Sequence, residues 1–481
     1  MTTPPALHRV MRAPHDRKRR RRAPAIVVAV WAASIPALAL VGALLRSRTD
    51  LPLLTGAEPF VGHWMVHTGP GVVVALAFLA LVVRYGPRLA ARLPWTALLF
   101  TAWAATVFWT VTLAVTASWH GLVRPVTGEH EYLPVVPTAA ADPAAFLVGF
   151  TENLSDYPIH VRGHPPGLVL LLALLDRWGL GGAGWATALF VLAGTSVVPA
   201  VLVALRTLSR LDPAGSHHGD DGNAARTVVP ALVLAPAALW VATSADAFFA
   251  GVLAWGVALL ALASDQDRST AARWAYAVGA GLLLGACPLL SYGLLHMGLI
   301  ALAVPVLTRR FGATGVAAGV AVGVVGWFGS AGFWLWDGIA ATHAQWAPVG
   351  NDRPYLYFLL VDLAVLGVIA GPAAVGGLAR LHRTDRVTGV VVGLGLASAL
   401  SGALLGFERG EVERIWLPVA FWVVPAAAGL RAHVRRPPSS ADASPLTDAS
   451  PPTEPLPLPG GWLWAQGGLA LLLNTILESP W

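Results

Sequence analysis

The sequence predicts an all-α polytopic membrane protein, a bundle of about thirteen transmembrane helices whose N-terminus lies in the cytoplasm. Two observations carry this. Of 481 residues, 56% are hydrophobic and only 12% charged, with a mean hydropathy of +0.64, far from the usage of soluble domains. The remaining charges fall in short basic clusters between apolar runs of about 17–25 residues, the length that crosses a bilayer core. Placing those clusters on the cytoplasmic side threads the whole chain consistently. The same clustering accounts for the net charge of +6 and the pI near 10.0 as orientation signals, with no nucleic-acid partner. The lone cysteine, Cys287, lies in an apolar run, which excludes an internal disulfide and a thiolate metal cluster.

Residues 1–24 read as a basic cytoplasmic tail ending in RKRRRR (17–22), followed by a first span at 25–45. That run is long enough to cross and is followed by no small-residue cleavage site, so it stays uncleaved. An outer loop, 46–69, precedes a second span at about 70–86, which returns to the basic turn RYGPRLAAR (84–92), and a third at 95–117 exits into a long outer loop, 118–178. Within it Pro165 and Pro166 start an apolar helix, 168–175, that meets Asp176, Arg177 and Trp178 after about three turns, too short to span. It is therefore assigned to the outer interface. The next span, 183–205, leads inward to a polar loop with Arg206, Arg210 and Arg226. Further spans follow at about 227–242, 246–263, 273–290, 293–308, 313–335, 355–379, 387–406 and 415–430, with basic turns inside at 265–273, 309–310, 380–386 and 431–436. The bundle thus occupies 25–430. Residues 431–460, rich in Pro and Ser, read as a disordered cytoplasmic linker, and 461–481 as the last transmembrane helix. Trp334, Trp336 and Trp416 fall near the outer boundary, as an aromatic belt would place them.

The threading brings most of the acids and histidines to the outer side. Ionisable residues at helix ends in a membrane protein mark a candidate site rim, whereas outer loops are also polar without any role. Glu129 and Glu131 flank His130 in GEHEY; in an extended segment both carboxylates point the same way, and either suits a general base. The bland alternative is a solvated turn. His160, Arg162 and His164 alternate before Pro165, so an extended run presents one cationic face beside a helix start, suited to phosphate. The histidines admit a divalent metal, but no third ligand fixes one and none is assigned. In FERGEVERIWLP (407–418), Glu411 and Arg414 are three apart and form a pair if helical, either as a surface ion-pair net or with Arg414 on a lipid phosphate beside Glu413. Asp246, in SADAFF, suits a helix cap or a rim acid.

Glu131-Tyr132 in a long outer loop, His164-Pro165-Pro166 before a short helix, Asp246 in an outer turn and Glu413-Arg414 before a late helix together resemble the GT-C superfamily of polyprenyl-phosphate-sugar glycosyltransferases. The likeness covers roughly residues 95–430 and is nearest the protein-mannosyltransferase and aminoarabinose-transferase branch. It implies a GT-C-like fold in the cell membrane. It also implies transfer of a sugar from a polyprenyl-phosphate donor to a hydroxyl of a glycan, lipid or protein acceptor on the extracytoplasmic face. The resemblance places the base at Glu131 or Glu129, and substrate contacts at His130, Tyr132, His160, Arg162, His164, Asp246, Glu413 and Arg414. Glu where the family more often has Asp, and Gly167 where it usually has Leu or a similar residue, are departures. Two other readings stand beside it: a transporter or flippase, for which Asp362 and His296 are the clearest mid-span polar groups, and a noncatalytic membrane scaffold.

Overall fold

The computed structural model describes residues 14–49, 53, 55–116, 118–214, 223–431 and 457–480. The protein is all-α and polytopic. Each predicted span is helical over part or all of its length, and eight helices among the described residues are long and apolar enough to cross a membrane, or nine if a bent pair counts as one span. The other segments counted as spans are shorter or broken. Leu294–Thr308 is interrupted by a 3-10 stretch, and Leu417–Leu430 passes from the α-helix Leu417–Val423 into 3-10, where Pro425 lacks the N–H that a regular helix would use. Most of 1–24 and of 431–460 lies outside the described residues, as does the tip of the polar loop after residue 214. The helix Pro14–Arg48 runs without interruption from the basic stretch into the first span.

The bundle is layered about the helix Ala245–Ala263, the most deeply buried of the spans. It lies close against Ala183–Thr195, because a Cβ on Gly251 would sit 2.3 Å from the carbonyl oxygen of Ala193. The first helix and Gly312–Ser330 lie at the outside of the bundle, with few fully buried residues. The bent pair Tyr355–Ala370 and Pro372–Leu378 turns by 112° at Gly371, whose φ of +90° favours glycine. Buried Gln466 seals that break: its Oε1 accepts from Ala373 N (3.0 Å), and its Nε2 donates to the carbonyls of Ala370 (2.8 Å) and Ala231 (3.3 Å).

Charge separates the two ends. At one end Arg226 donates to Ala90 O and Leu93 O, Arg206 covers the Trp95 ring, Arg386 pairs with Asp212, and Arg310 donates to Ser264 O. The loop 118–178 lies at the other end as a packed stack of short helices, among them Val136–Ala141, Ile159–Arg162 and Gly167–Arg177. The helix Gly167–Arg177 is too short to span, as expected, and buries Leu168, Val169, Leu172 and Ala173. A Cβ at Gly167 would lie 2.2 Å from Leu289 O, which gives the unexpected glycine after His-Pro-Pro a packing reason. At the same end a hairpin pairs Gly56–Ala57 with Phe60–Val61, and His63–Trp64 pairs with Leu477–Glu478 after the last helix, Gly460–Ile476. Trp334 and Trp336 are exposed, as a belt requires, but Trp416 is fully buried and belongs to the core instead.

Candidate active site

Four segments converge where the loop 118–178 meets the ends of the buried helices. Ser244 caps the helix Ala245–Ala263, its Oγ accepting from Asp246 N (3.0 Å), and this fixes Asp246 in the first turn facing inward. Arg414, in the short helix Val412–Ile415, places Nη1 2.7 Å from Asp246 Oδ2 and Nη2 2.8 Å from Glu411 Oε2. Arg353 approaches the other oxygen of Glu411 at 3.7 Å. From the loop, His160 lies with Nε2 3.5 Å from Arg414 Nη2 and Nδ1 2.8 Å from Glu131 Oε1. Glu131 and His160 side chains are 18% and 15% exposed, sheltered yet within reach of a substrate. Tyr132 and His164 close the floor, their rings 5.9 Å apart, with His164 against Phe249.

The electrostatics follow from burial and pairing. Burial opposes ionisation of Glu411, but Arg414 and then Arg353 outweigh it and hold its carboxyl below the usual range. Burial likewise opposes the charge on Arg414, yet Asp246 and Glu411 raise its pKa and keep it a guanidinium. Tyr132 is driven up by burial, then by Asp246 and Glu131, so it stays a phenol. Burial lowers His164, so it is a neutral imidazole, with Nδ1 2.8 Å from His160 O. The guanidiniums of Arg414 and Arg353 therefore balance Asp246 and Glu411, with the Glu131–His160 contact beside them.

The structure brings together Glu131, Tyr132, His160, His164, Asp246 and Arg414 from the residues singled out in the sequence. Of the others, His130 reaches the site only through its backbone carbonyl, which accepts from His160 N (3.1 Å). Glu129 and His130 do not share a face with Glu131: a turn with Glu131 N donating to Gly128 O (3.1 Å) replaces the extended run, and Glu129 and His130 are exposed, 3.7 Å from each other. His160, Arg162 and His164 do not alternate along a strand, because Ile159–Arg162 is helical; the Nε of Arg162 is buried and without a hydrogen-bond partner. Glu413 points away from Arg414 and accepts from Val61 N at 2.9 Å. Among the described residues no group of three or more His, Cys, Asp or Glu is arranged to hold a metal ion.

Two contributors were not assigned a role from the sequence. Ser244 also donates to Asp246 Oδ2 (3.1 Å), a role suggested by its capping position before Ala245. Arg353, one of the outer-side charges of the threading, follows Asn351 and Asp352 with no motif, and its contact with Glu411 shows its part in the site.

No family model and no curated protein matches this chain. Solved structures of ArnT from Cupriavidus metallidurans, one in the apo state and one bound to undecaprenyl phosphate, are similar to it at 16% identity, with TM-scores of 0.42 and 0.41. In each case the similarity covers 70% of this chain and 59% of ArnT, so the chain matches well under two thirds of that protein's length.

Proposed function

We propose that this protein is a membrane glycosyltransferase of GT-C type, moving a sugar from a polyprenyl-phosphate donor to an acceptor hydroxyl on the extracytoplasmic face. The observation that carries the reading is the 2.8 Å contact between Glu131 and His160, held beside the Arg414 network at the end of the bundle away from the basic turns. In this reaction Glu131 takes the proton of the acceptor hydroxyl as its oxygen attacks the anomeric carbon. The bond from that carbon to the phosphate oxygen breaks, and the polyprenyl phosphate leaves with both electrons, so configuration inverts. His160 orients Glu131 through Nδ1 and shares its proton. Arg414, itself fixed by Asp246 and Glu411, supplies positive potential facing His160. The acid in the first large loop and the His164-Pro165-Pro166 step agree with the family resemblance.

A transport reading rests on the broken helix at Gly371, since interrupted helices line many transport paths. Gln466 satisfies the backbone groups exposed by that break, which leaves no open polar step there and favours the enzyme.

The test is transfer from radiolabelled polyprenyl-phosphate hexoses and pentoses in membranes carrying the chain. Glu131→Gln is expected to lower the rate about 10²–10⁴-fold, the usual contribution of a general base, with the protein still inserted, while Glu129→Gln leaves it within about twofold. Transfer indifferent to Glu131→Gln, or lost equally with Glu129→Gln, removes Glu131 from the role assigned to it. Absence of transfer from every donor rejects the enzyme reading.

A further inference from the structure

A cleft of about 650 Å³ opens beside the hairpin Gly56–Val61, and a second of about 310 Å³ adjoins it, the two sharing Arg124, Glu478 and Ser479. The combined space is within the range of small-molecule sites. None of the residues assigned to the reaction lines either part, but the cleft touches the site from behind. Val61 lines it and donates its N–H to Glu413, the neighbour of Arg414. On the other side Thr243, which follows Ala242 in its wall and precedes Ser244, donates to Leu122 O.

The walls carry two guanidinium–carboxylate pairs facing one space. Arg46 and Glu58 are 2.9 Å apart, with Glu58 also accepting from Thr55, and Arg124 and Glu478 are 3.6 Å apart. Each pair has a half-exposed arginine. Leu53 and Val61 supply an apolar floor. Each guanidinium faces a carboxylate, so these two pairs offer a phosphate or a carboxylate no net attraction. A guanidinium next to a carboxylate instead offers donors and acceptors side by side, the arrangement that matches vicinal hydroxyls, each of which both donates and accepts.

We infer that this cleft binds a neutral, hydroxyl-rich carbohydrate, the non-reacting part of a glycan acceptor. The inference rests on the glycosyltransferase reading for its link to catalysis, but the binding itself is measurable without turnover. Arg124 and Glu478 hold the carbohydrate, and the Val61–Glu413 hydrogen bond couples the cleft wall to the Arg414 turn.

The experiment is saturation-transfer NMR on the full chain in lipid nanodiscs, with a mixture of soluble neutral di- and trisaccharides as the probe and inorganic phosphate as the competitor. Wild type and Glu131→Gln are expected to give equal transfer to the sugars. Arg124→Ala and Glu478→Gln, both at solvent-accessible positions where folding is undisturbed, are expected to weaken it about tenfold, the loss of one charged contact. No transfer to any sugar, equal transfer in all these proteins, or signal abolished by phosphate overturns the inference. Sugar binding without glycosyl transfer from any donor would reject the enzyme reading while leaving the cleft's ligand as assigned; transfer activity without sugar binding would do the reverse.

Discussion

Asp246→Asn tests whether the centre is held by its ion pairs. In the native protein Arg414 Nη1 is 2.7 Å from Asp246 Oδ2, both side chains being under 10% exposed, and Ser244 donates to the same oxygen. Removing one member of a buried pair costs about 3–5 kcal/mol, because the other charge is left uncompensated in a medium of low polarity. Two features of this site lower that cost. Glu411 Oε2 remains 2.8 Å from the other nitrogen of Arg414, and asparagine keeps an oxygen able to accept from Ser244 and Arg414. The expected loss is therefore about 2–3 kcal/mol. Arg414→Met leaves Asp246 with Ser244 and Glu411 with Arg353 at 3.7 Å and is expected to cost about 3–5 kcal/mol. The double variant should cost less than the sum by at least about 1 kcal/mol, since neither unpaired partner is then left facing the other. The assay is equilibrium unfolding of the full chain in mixed detergent micelles. Single variants within about 0.5 kcal/mol of wild type, or strict additivity in the double, would refute the claim that this pair organises the site.

Three further outcomes are expected. Burial raises Glu413 from 4.5 to about 7, so the folded protein keeps a proton that the unfolded chain releases. Stability from this group is present below pH 4.5 and falls as pH rises to about 7; unfolding measured across that window should slope downward, and Glu413→Gln should flatten it, though not wholly, because Glu408 is raised to about 7 by burial too. Gln466→Leu leaves Ala373 N, Ala370 O and Ala231 O without the partner they have now; at about 1–3 kcal/mol for each buried unpaired group, a measured cost below about 1 kcal/mol would mean that Gln466 does not seal the bend. Gly167→Ala drives a methyl into the Leu289 carbonyl at 2.2 Å, backbone that cannot swing aside, so a Tm unchanged from wild type would show that the two helices are looser than the geometry requires.

What the sequence made legible was whatever local rules govern. Length and charge located the helices, since both are properties of single segments, and the spacing of Glu411 and Arg414 pointed to their 2.8 Å contact, although Glu411 makes it as a left-handed cap (φ +62°) before the helix Val412–Ile415 and not from within it. The broken elements were harder to read. A proline-bearing apolar run such as 417–430 has the composition of a span, and only its packing shows that it breaks into short pieces with Trp416 buried at its head. Glu129 and Glu131 are equivalent by alternation, but the hydrogen bond from Glu131 N to Gly128 O closes a turn that sends one to solvent and the other to His160. The pairing of Asp246 with Arg414 spans 168 residues, and no local pattern encodes it.

The turn 411–414 shows how these two kinds of information meet. Neighbours on a helix diverge by about 100°. Glu411, capping the helix Val412–Ile415 in a left-handed conformation, meets Arg414 beside Asp246 and His160, and Glu413, next to Arg414 on that helix, turns elsewhere, to the N–H of Val61. One short helix thus ties the ion-pair centre to the hairpin that walls the cleft. Its two outlets are separable: Glu413→Gln keeps the hydrogen-bond acceptor and the face of Arg414, whereas Arg414→Met removes the centre and leaves the hairpin contact. If cleft and centre serve one reaction, damage to the Arg414 side should lower turnover at saturating acceptor, and damage on the Arg124 side should raise the acceptor concentration required. The reverse assignment of those two effects would mean that the cleft acts on something other than the acceptor.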